Sequence, residues 1–128
     1  MRIAKVSELT DVSPDTLRYY ERIGLLPSVH RKDNGIRDFQ EIDIRRIEFI
    51  KCMRKAGIPI EILIEYISLV KEGDKTINAR KNILIEQREK LVRKMVEMQE
   101  TLDLLNYKIN VYEDAVLKRE KEIVTIDR

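Results

Sequence analysis

Apolar residues recur at helical spacing along most of this chain, and the breaks in that rhythm mark its element boundaries. Ile3, Val6 and Leu9 fall three apart, which predicts a short helix ending near Thr10. The next boundary is Asp11-Val12-Ser13-Pro14. Ser13 is a strong N-cap, Pro14 suits the first helical position, and Val12 and Leu17 occupy the two positions of a hydrophobic staple. A second helix therefore starts at Pro14, and Gly24 followed by Leu25-Leu26-Pro27 ends it. Two short helices with a brief link between them outline a helix-turn-helix.

Beyond Pro27 the pattern changes. Val29-His30-Arg31 and Ile36-Arg37-Asp38-Phe39 flank Lys32-Asp33-Asn34-Gly35, and Asn-Gly between such segments predicts a small exposed β-hairpin. A third helix follows from about Glu41 to Ala56, with Ile42, Phe49, Ile50, Met53 and Ala56 as its apolar stripe and Gly57 at its end. Pro59 opens a fourth, in which Ile60, Leu63, Ile64, Ile67 and Val70 are expected to face inward, and Gly73 closes it.

From Thr76 to Lys118 there is neither Pro nor Gly, and Ile77, Leu84, Leu91, Met98, Leu105 and Tyr112 are spaced by seven. Met95, Leu102, Ile109 and Val116 form a second seam four residues on, whose earlier members Lys81 and Arg88 are polar. A heptad pattern of this length predicts a coiled-coil helix roughly 65 Å long. Nothing before Gly73 is large enough to cover it. The seam formed by Leu84, Leu91, Met95, Met98, Leu102, Leu105, Ile109 and Tyr112 therefore calls for a partner helix, and a second copy is the simplest one. Burial inside a larger heteromer is the alternative. The last residues, Ile123 to Arg128, show no pattern and read as a frayed tail.

The expected fold is thus mainly α: a winged helix-turn-helix head over residues 1–73, a coiled-coil dimerisation helix over 74–120, and a tail over 121–128. Composition agrees, with 38% charged residues, 5% aromatic and no Trp, a mix suited to surface-rich helices. The net charge of +2 is small, but residues 1–57 hold 12 Lys and Arg against 9 Asp and Glu, so the excess lies in the N-terminal half. One Cys cannot make an internal disulfide, and one His with one Cys excludes the usual structural zinc sites. No run is apolar enough for a membrane span and no leader pattern is visible, so the cytoplasm is the expected compartment. Paired carboxylates, a Cys/His pair and a phosphate-binding glycine loop are all missing from the sequence pattern. An enzyme is not expected, and neither is a cofactor or metal.

In a helix-turn-helix the second helix enters the major groove, and its early exposed residues meet base edges. With Leu17 and Tyr20 turned toward the first helix, Asp15, Thr16, Arg18, Tyr19 and Arg22 face outward. Arg18 carries a donor fork suited to guanine edges or phosphate oxygens, and Tyr19 and Tyr20 offer hydroxyls for phosphates. The hairpin adds Arg31, Lys32 and Arg37, with His30 and Asn34 beside them. Lys51, Arg54 and Lys55 form a smaller cationic set near the end of the third helix, for which a solvated face is the plainer reading.

These residues together resemble the MerR family of bacterial transcription regulators. The resemblance runs from Ile3 through Val12-Ser13-Pro14-Asp15-Thr16-Leu17-Arg18-Tyr19-Tyr20-Glu21-Arg22-Ile23-Gly24-Leu25-Leu26-Pro27, continues at Arg31, Asn34-Gly35, Arg37 and Phe39, and ends with Ile47-Glu48-Phe49-Ile50 to Gly57. It covers residues 1–73 in sequence and the long helix only in kind. It implies a homodimer joined by an antiparallel coiled coil, seated on double-stranded promoter DNA and distorting it, in response to an effector, so that RNA polymerase can engage. Ser13, Thr16, Arg18, Tyr19, Tyr20, Arg31, Asn34, Gly35, Arg37 and Lys55 are then the expected DNA-facing set. Within it, Arg18 and Tyr19 would lie in the major groove and Tyr20, Arg31 and Arg37 on phosphates. Two departures stand out. Asp11 occupies a turn position where Gly is common, and Phe39 replaces a common Tyr.

Cys52 has two readings. It sits at the flank of the third helix's stripe, where a small buried hydrophobe is the ordinary role of a free Cys. It also resembles the lone Cys of a thiol- and aldehyde-responsive subgroup, the AdhR- and NmlR-like regulators, in which nearby Lys51, Arg54 or Lys55 would favour the thiolate. Metal-sensing relatives need several Cys or His, and drug-sensing relatives carry a large domain after the coiled coil; neither branch is expected from this sequence. A non-covalent effector between the head and the partner's coiled coil is the alternative. A coiled-coil module whose basic head binds protein is the alternative from another class.

Overall fold

The computed structural model describes residues 1–112, 114 and 117–126. Helices α1 (Ile3–Thr10), α2 (Pro14–Arg22), α3 (Glu41–Lys55), α4 (Ile60–Lys71), α5 (Ile77–Val111) and α6 (Leu117–Ile126) follow in order, with a short 3-10 turn at Asp74–Thr76 before α5. Two compact units result, Met1–Gln87 and Arg88–Arg128. The first extends past the expected boundary at residue 73 because it takes in the opening turns of α5.

The turn between α1 and α2 forms as its residues dictate. Asp11 adopts the left-handed conformation at φ 57° and its N–H donates to Ser7 O, so Asp serves where Gly is common. Ser13 caps α2, its hydroxyl oxygen accepting the Thr16 N–H at 3.1 Å. Leu17 is fully buried with Val6, Leu26, Val29, Phe39 and Ile47, and Val12 packs on the same cluster. A second cluster gathers Leu25, Ile50 and Leu63, with Phe49, Met53, Ile60, Ile64 and Ile67 against it. Tyr20 touches both clusters.

Three inward-facing assignments shift. On α1 the core residues are Val6 and Thr10, and Leu9 is half exposed. Thr10 lies four residues after Val6 and donates its hydroxyl to Val6 O at 2.8 Å, so its polar group is satisfied within its own helix. On α3 the buried arc is Ile47 and Ile50, with Asp43 beside it holding the Gln40 N–H at 2.8 Å, whereas Ile42 is exposed. Val70 of α4 is also exposed. Ile42 and Val70 instead line an open apolar groove of about 350 Å³ with Pro27, Phe49, Tyr66 and Ile67.

The hairpin is shorter than predicted. Among the described residues it makes one antiparallel bridge, Arg31 with Arg37, and no extended strand. Lys32 N–H donates to Ile36 O and Gly35 N–H to Lys32 O, a three-residue loop with Gly35 at φ 81° in the left-handed closing position. The broken alternation of the flanks leaves no partner strand to extend the ladder, while buried Val29 and Phe39 anchor the two stems in the core.

The C-terminal part departs further from expectation. The single helix to Lys118 stops at Val111, winding widens to π type at Tyr112 and Asp114, and α6 occupies most of the expected tail. Glu120 pairs with Lys108 at 3.5 Å and accepts from the Tyr112 hydroxyl at 3.0 Å. Twelve residues of straight helix span about 18 Å, so the Lys108–Glu120 pair requires α6 to turn back toward α5. Helical periodicity carries no sign of such a reversal. Val116 of the second seam lies outside the described residues. The other seam residues, Leu84, Leu91, Met95, Met98, Leu102, Leu105, Ile109 and Tyr112, are all exposed, Met98 at 73%.

The α4–α5 link depends on Gly73, at φ 88° and ψ −160°, a conformation accessible in practice only to glycine. Its carbonyl accepts from the Thr76 hydroxyl at 2.8 Å and from Arg80 Nη2 at 3.3 Å. No atom would crowd an added Cβ, so the constraint lies in the backbone alone. Gly73→Ala is therefore expected to destabilise the head by about 1–3 kcal/mol, measured by urea unfolding; an unchanged midpoint would contradict this account.

Candidate nucleic-acid interface

The exposed side of α2 carries Arg18 and Tyr19, and the structure shows what holds each. Arg18 Nη1 donates to Asp15 Oδ1 at 2.9 Å, one helical turn back. The Arg22 guanidinium lies 5.4 Å from the centre of the Tyr19 ring, a cation–π distance. Ser13 and Thr16 share a hydroxyl–hydroxyl bond of 2.8 Å at the helix N-terminus, where positive dipole density suits an anion. Tyr20 is half-buried and its ring packs on both clusters, which leaves a phosphate contact there to the hydroxyl alone.

The wing is brought to α2 by a carboxylate that sequence reasoning passed over. Glu21 Oε2 accepts the Val29 N–H at 2.8 Å, and Oε1 accepts from Arg37 Nε at 2.9 Å, with Arg31 Nη2 3.9 Å away. Arg31 Nη1 also donates to Gly35 O at 2.8 Å, and Asn34 Oδ1 accepts the Ile36 N–H at 3.1 Å. Asn34, Gly35 and Arg31 thus shape the loop as well as facing solvent. Burial pushes the Glu21 carboxyl up, but the Val29 amide, the Arg37 bond and the charges of Arg37 and Arg31 outweigh it and hold it below its ordinary value. The signal was present in sequence: Glu21 lies four residues after the core residue Leu17, and a charge on that face requires a partner.

The cationic triplet of α3 divides. Lys51 Nζ donates to Thr10 O at 2.7 Å, tying α3 to the end of α1. Arg54 Nη1 donates to Ile58 O at 2.9 Å. Both engage backbone carbonyls of the head itself. Lys55 is exposed, and so is Cys52 one turn before it. Among the described residues no group of His, Cys, Asp and Glu is placed to hold a metal, and no helix is long and apolar enough to cross a membrane.

A helix-turn-helix that presents arginine and tyrosine beside a short arginine-bearing wing defines the head of a duplex-DNA-binding protein. The family described as MerR HTH family regulatory protein matches residues 1–69, and that described as MerR, DNA binding, matches residues 44–107. The chain belongs to the MerR family of transcription regulators; it binds DNA and is not an enzyme. The alternative of a protein-binding coiled-coil module is thereby set aside.

The chain is 59% identical to the HTH-type transcriptional regulator AdhR of Bacillus subtilis (strain 168) over 92 residues, 72% of this chain and 66% of that relative, just under two thirds of its length. A Listeria monocytogenes crystal structure assigned to the same family superposes with a TM-score of 0.87 at 42% identity, covering 99% of this chain and 96% of that one. HiNmlR, described as a MerR family regulator lacking the sensor domain and bound to promoter DNA, superposes with a TM-score of 0.80 at 30% identity, covering 91% and 92%. These likenesses support the AdhR/NmlR-like subgroup.

Glu21 has a consequence for acid stability. A carboxyl whose value is lowered on folding contributes stability above its unfolded pKa, about 4.3 for glutamate, and that contribution is lost as pH falls through the lowered folded value. Glu21→Gln should therefore flatten the decline in stability below about pH 4.3 relative to wild type, followed by urea midpoints across a pH series. Parallel declines would show that Glu21 is not linked to folding.

Proposed function

We propose that this chain works as a homodimer that grips an inverted repeat in promoter DNA with two heads and distorts it, in response to an effector, for RNA polymerase. The observation that carries the dimer is the exposed seam of α5. Eight seam side chains lie in water, and burial of such a residue contributes about 1.5–3 kcal/mol. Duplex DNA engages Arg18 and Tyr19 in the major groove, with Ser13 and Thr16 at the same helix end. Phosphates engage Tyr20, Arg31, Arg37, the Asn34–Gly35 loop and Lys55. A regulator of chromosomal promoters acts in the bacterial cytoplasm.

The effector reading places the sensor at Cys52. Its thiol is exposed on α3, with the Lys55 ammonium one turn away. The sulfur adds to the carbonyl carbon of an aldehyde as the S–H proton passes to the carbonyl oxygen, giving a hemithioacetal. A non-covalent effector is the second reading, favoured by the apolar groove that Ile42, Phe49, Tyr66 and Val70 line.

The test is footprinting on the promoter beside the chain's own gene, with and without aldehyde, for wild type, Cys52→Ser and Arg18→Ala. Arg18→Ala should weaken specific binding by about 1–3 kcal/mol, and wild-type affinity should fall steeply with salt as phosphate contacts release counterions. Cys52→Ser should bind normally but lose its aldehyde response. An aldehyde response retained by Cys52→Ser would remove the thiol sensor and leave the groove reading. Binding indifferent to salt and to Arg18 would remove the DNA interface. A protein that stays monomeric at micromolar concentration in sedimentation would remove the dimer.

A further inference from the structure

We infer that Glu21 is the positioning residue of the wing, holding Arg37 and Arg31 in the orientation in which they meet the sugar–phosphate backbone. One side chain from the recognition helix touches both stems. Oε2 takes the Val29 amide of the first stem at 2.8 Å, and Oε1 takes Arg37 Nε of the second at 2.9 Å. The same oxygen lies 3.9 Å from Arg31. The stems are joined by a single antiparallel bridge, with the Asp38 N–H donating to His30 O at 2.7 Å and the Lys32 N–H to Ile36 O at 2.9 Å, and buried Val29 and Phe39 seat their ends in the core. Within that frame the orientation of the two guanidiniums against α2 is set by this carboxylate, whose side chain is only 14% exposed.

Electrostatics makes the assignment separable from a plain charge effect. A carboxylate near a polyanion opposes binding, so Coulomb's law alone has any neutral replacement at residue 21 tighten the complex. Positioning has the opposite sign. Arg37 spends Nε on Glu21 and keeps its two terminal nitrogens for phosphate oxygens, an orientation lost when the anchor is weakened. Arg37 is three-quarters buried, so its guanidinium has few other poses from which to reach DNA.

The inference rests on the wing's phosphate contacts, and the experiment separates the two. The full chain is titrated with the footprinted promoter fragment across a salt series as wild type, Glu21→Gln, Arg37→Ala and the double variant. Arg37→Ala should weaken binding about tenfold and reduce the salt slope by about one. Glu21→Gln, which keeps an acceptor for the Val29 amide, should weaken binding about fivefold despite removing a negative charge. The double variant should be no weaker than Arg37→Ala within about twofold. An Arg37→Ala protein with wild-type affinity and slope overturns the phosphate contact itself. Glu21→Gln binding as well as or better than wild type, or the two effects multiplying, overturns the positioning role alone. Arg37→Lys supplies an independent arm should Glu21→Gln fail to fold: it keeps the charge but not the Nε bond, and binding equal to wild type also overturns the inference.

Discussion

A recognition helix of nine residues is too short to persist in water, and the rest of the head is organised around that constraint. Leu17 is its only fully buried side chain, wedged into the cluster that Val6 of α1 and Ile47 of α3 also enter. Tyr20, one turn on, reaches into both clusters, so the same helix joins the α1 side of the core to the α4 side. Ser13 satisfies an orphan amide at its start, and Asp11 reverses the chain so that α1 lies against it. With its inward face committed in this way, the helix presents Arg18 and Tyr19 on a backbone that cannot rotate to hide them.

Charge in the head follows from the same geometry. Every described buried side-chain nitrogen or oxygen has a hydrogen-bond partner. The cations therefore fall into two populations. Lys51 closes the carbonyl at the end of α1, where unpaired carbonyls attract positive charge, and Arg54 holds the Ile58 carbonyl in the link between α3 and α4. Arg18, Arg31 and Arg37 are held by carboxylates that also keep them from folding back onto the surface. A base-reading and phosphate-binding surface needs the second kind: cations in place before DNA arrives.

The start of α5 serves two surfaces at once. Thr76 and Gln87 are buried and Arg80 and Ile83 half-buried, spaced so that they share one face, and that face belongs to the head. Leu84 and Leu91 lie on another face, exposed, at the head of the heptad seam. Gly73 and Thr76 brace the link from α4, with the Thr76 hydroxyl 2.6 Å from Leu69 O.

Local rules read from the sequence alone determined the number of helices in the head, the Ser13 cap, the tolerance of Asp11 for positive φ, the closing role of Gly35 and the unburied heptad seam. Each depends on near neighbours in the chain, through capping, turn geometry or a period of seven. The tertiary structure decided what neighbours cannot specify. It placed Thr10 and Ile47 in the core where the apolar pattern favoured Leu9 and Ile42, reduced the hairpin to one bridge, divided the α3 lysines and arginines by what lay opposite them, and turned α6 back through Glu120. Glu21 is the clearest case. Its spacing from Leu17 shows that it needs a partner, but which one depends on where a loop eight to sixteen residues away comes to rest. The physical reason is that such groups are positioned by long-range packing, which leaves no periodic trace along the chain.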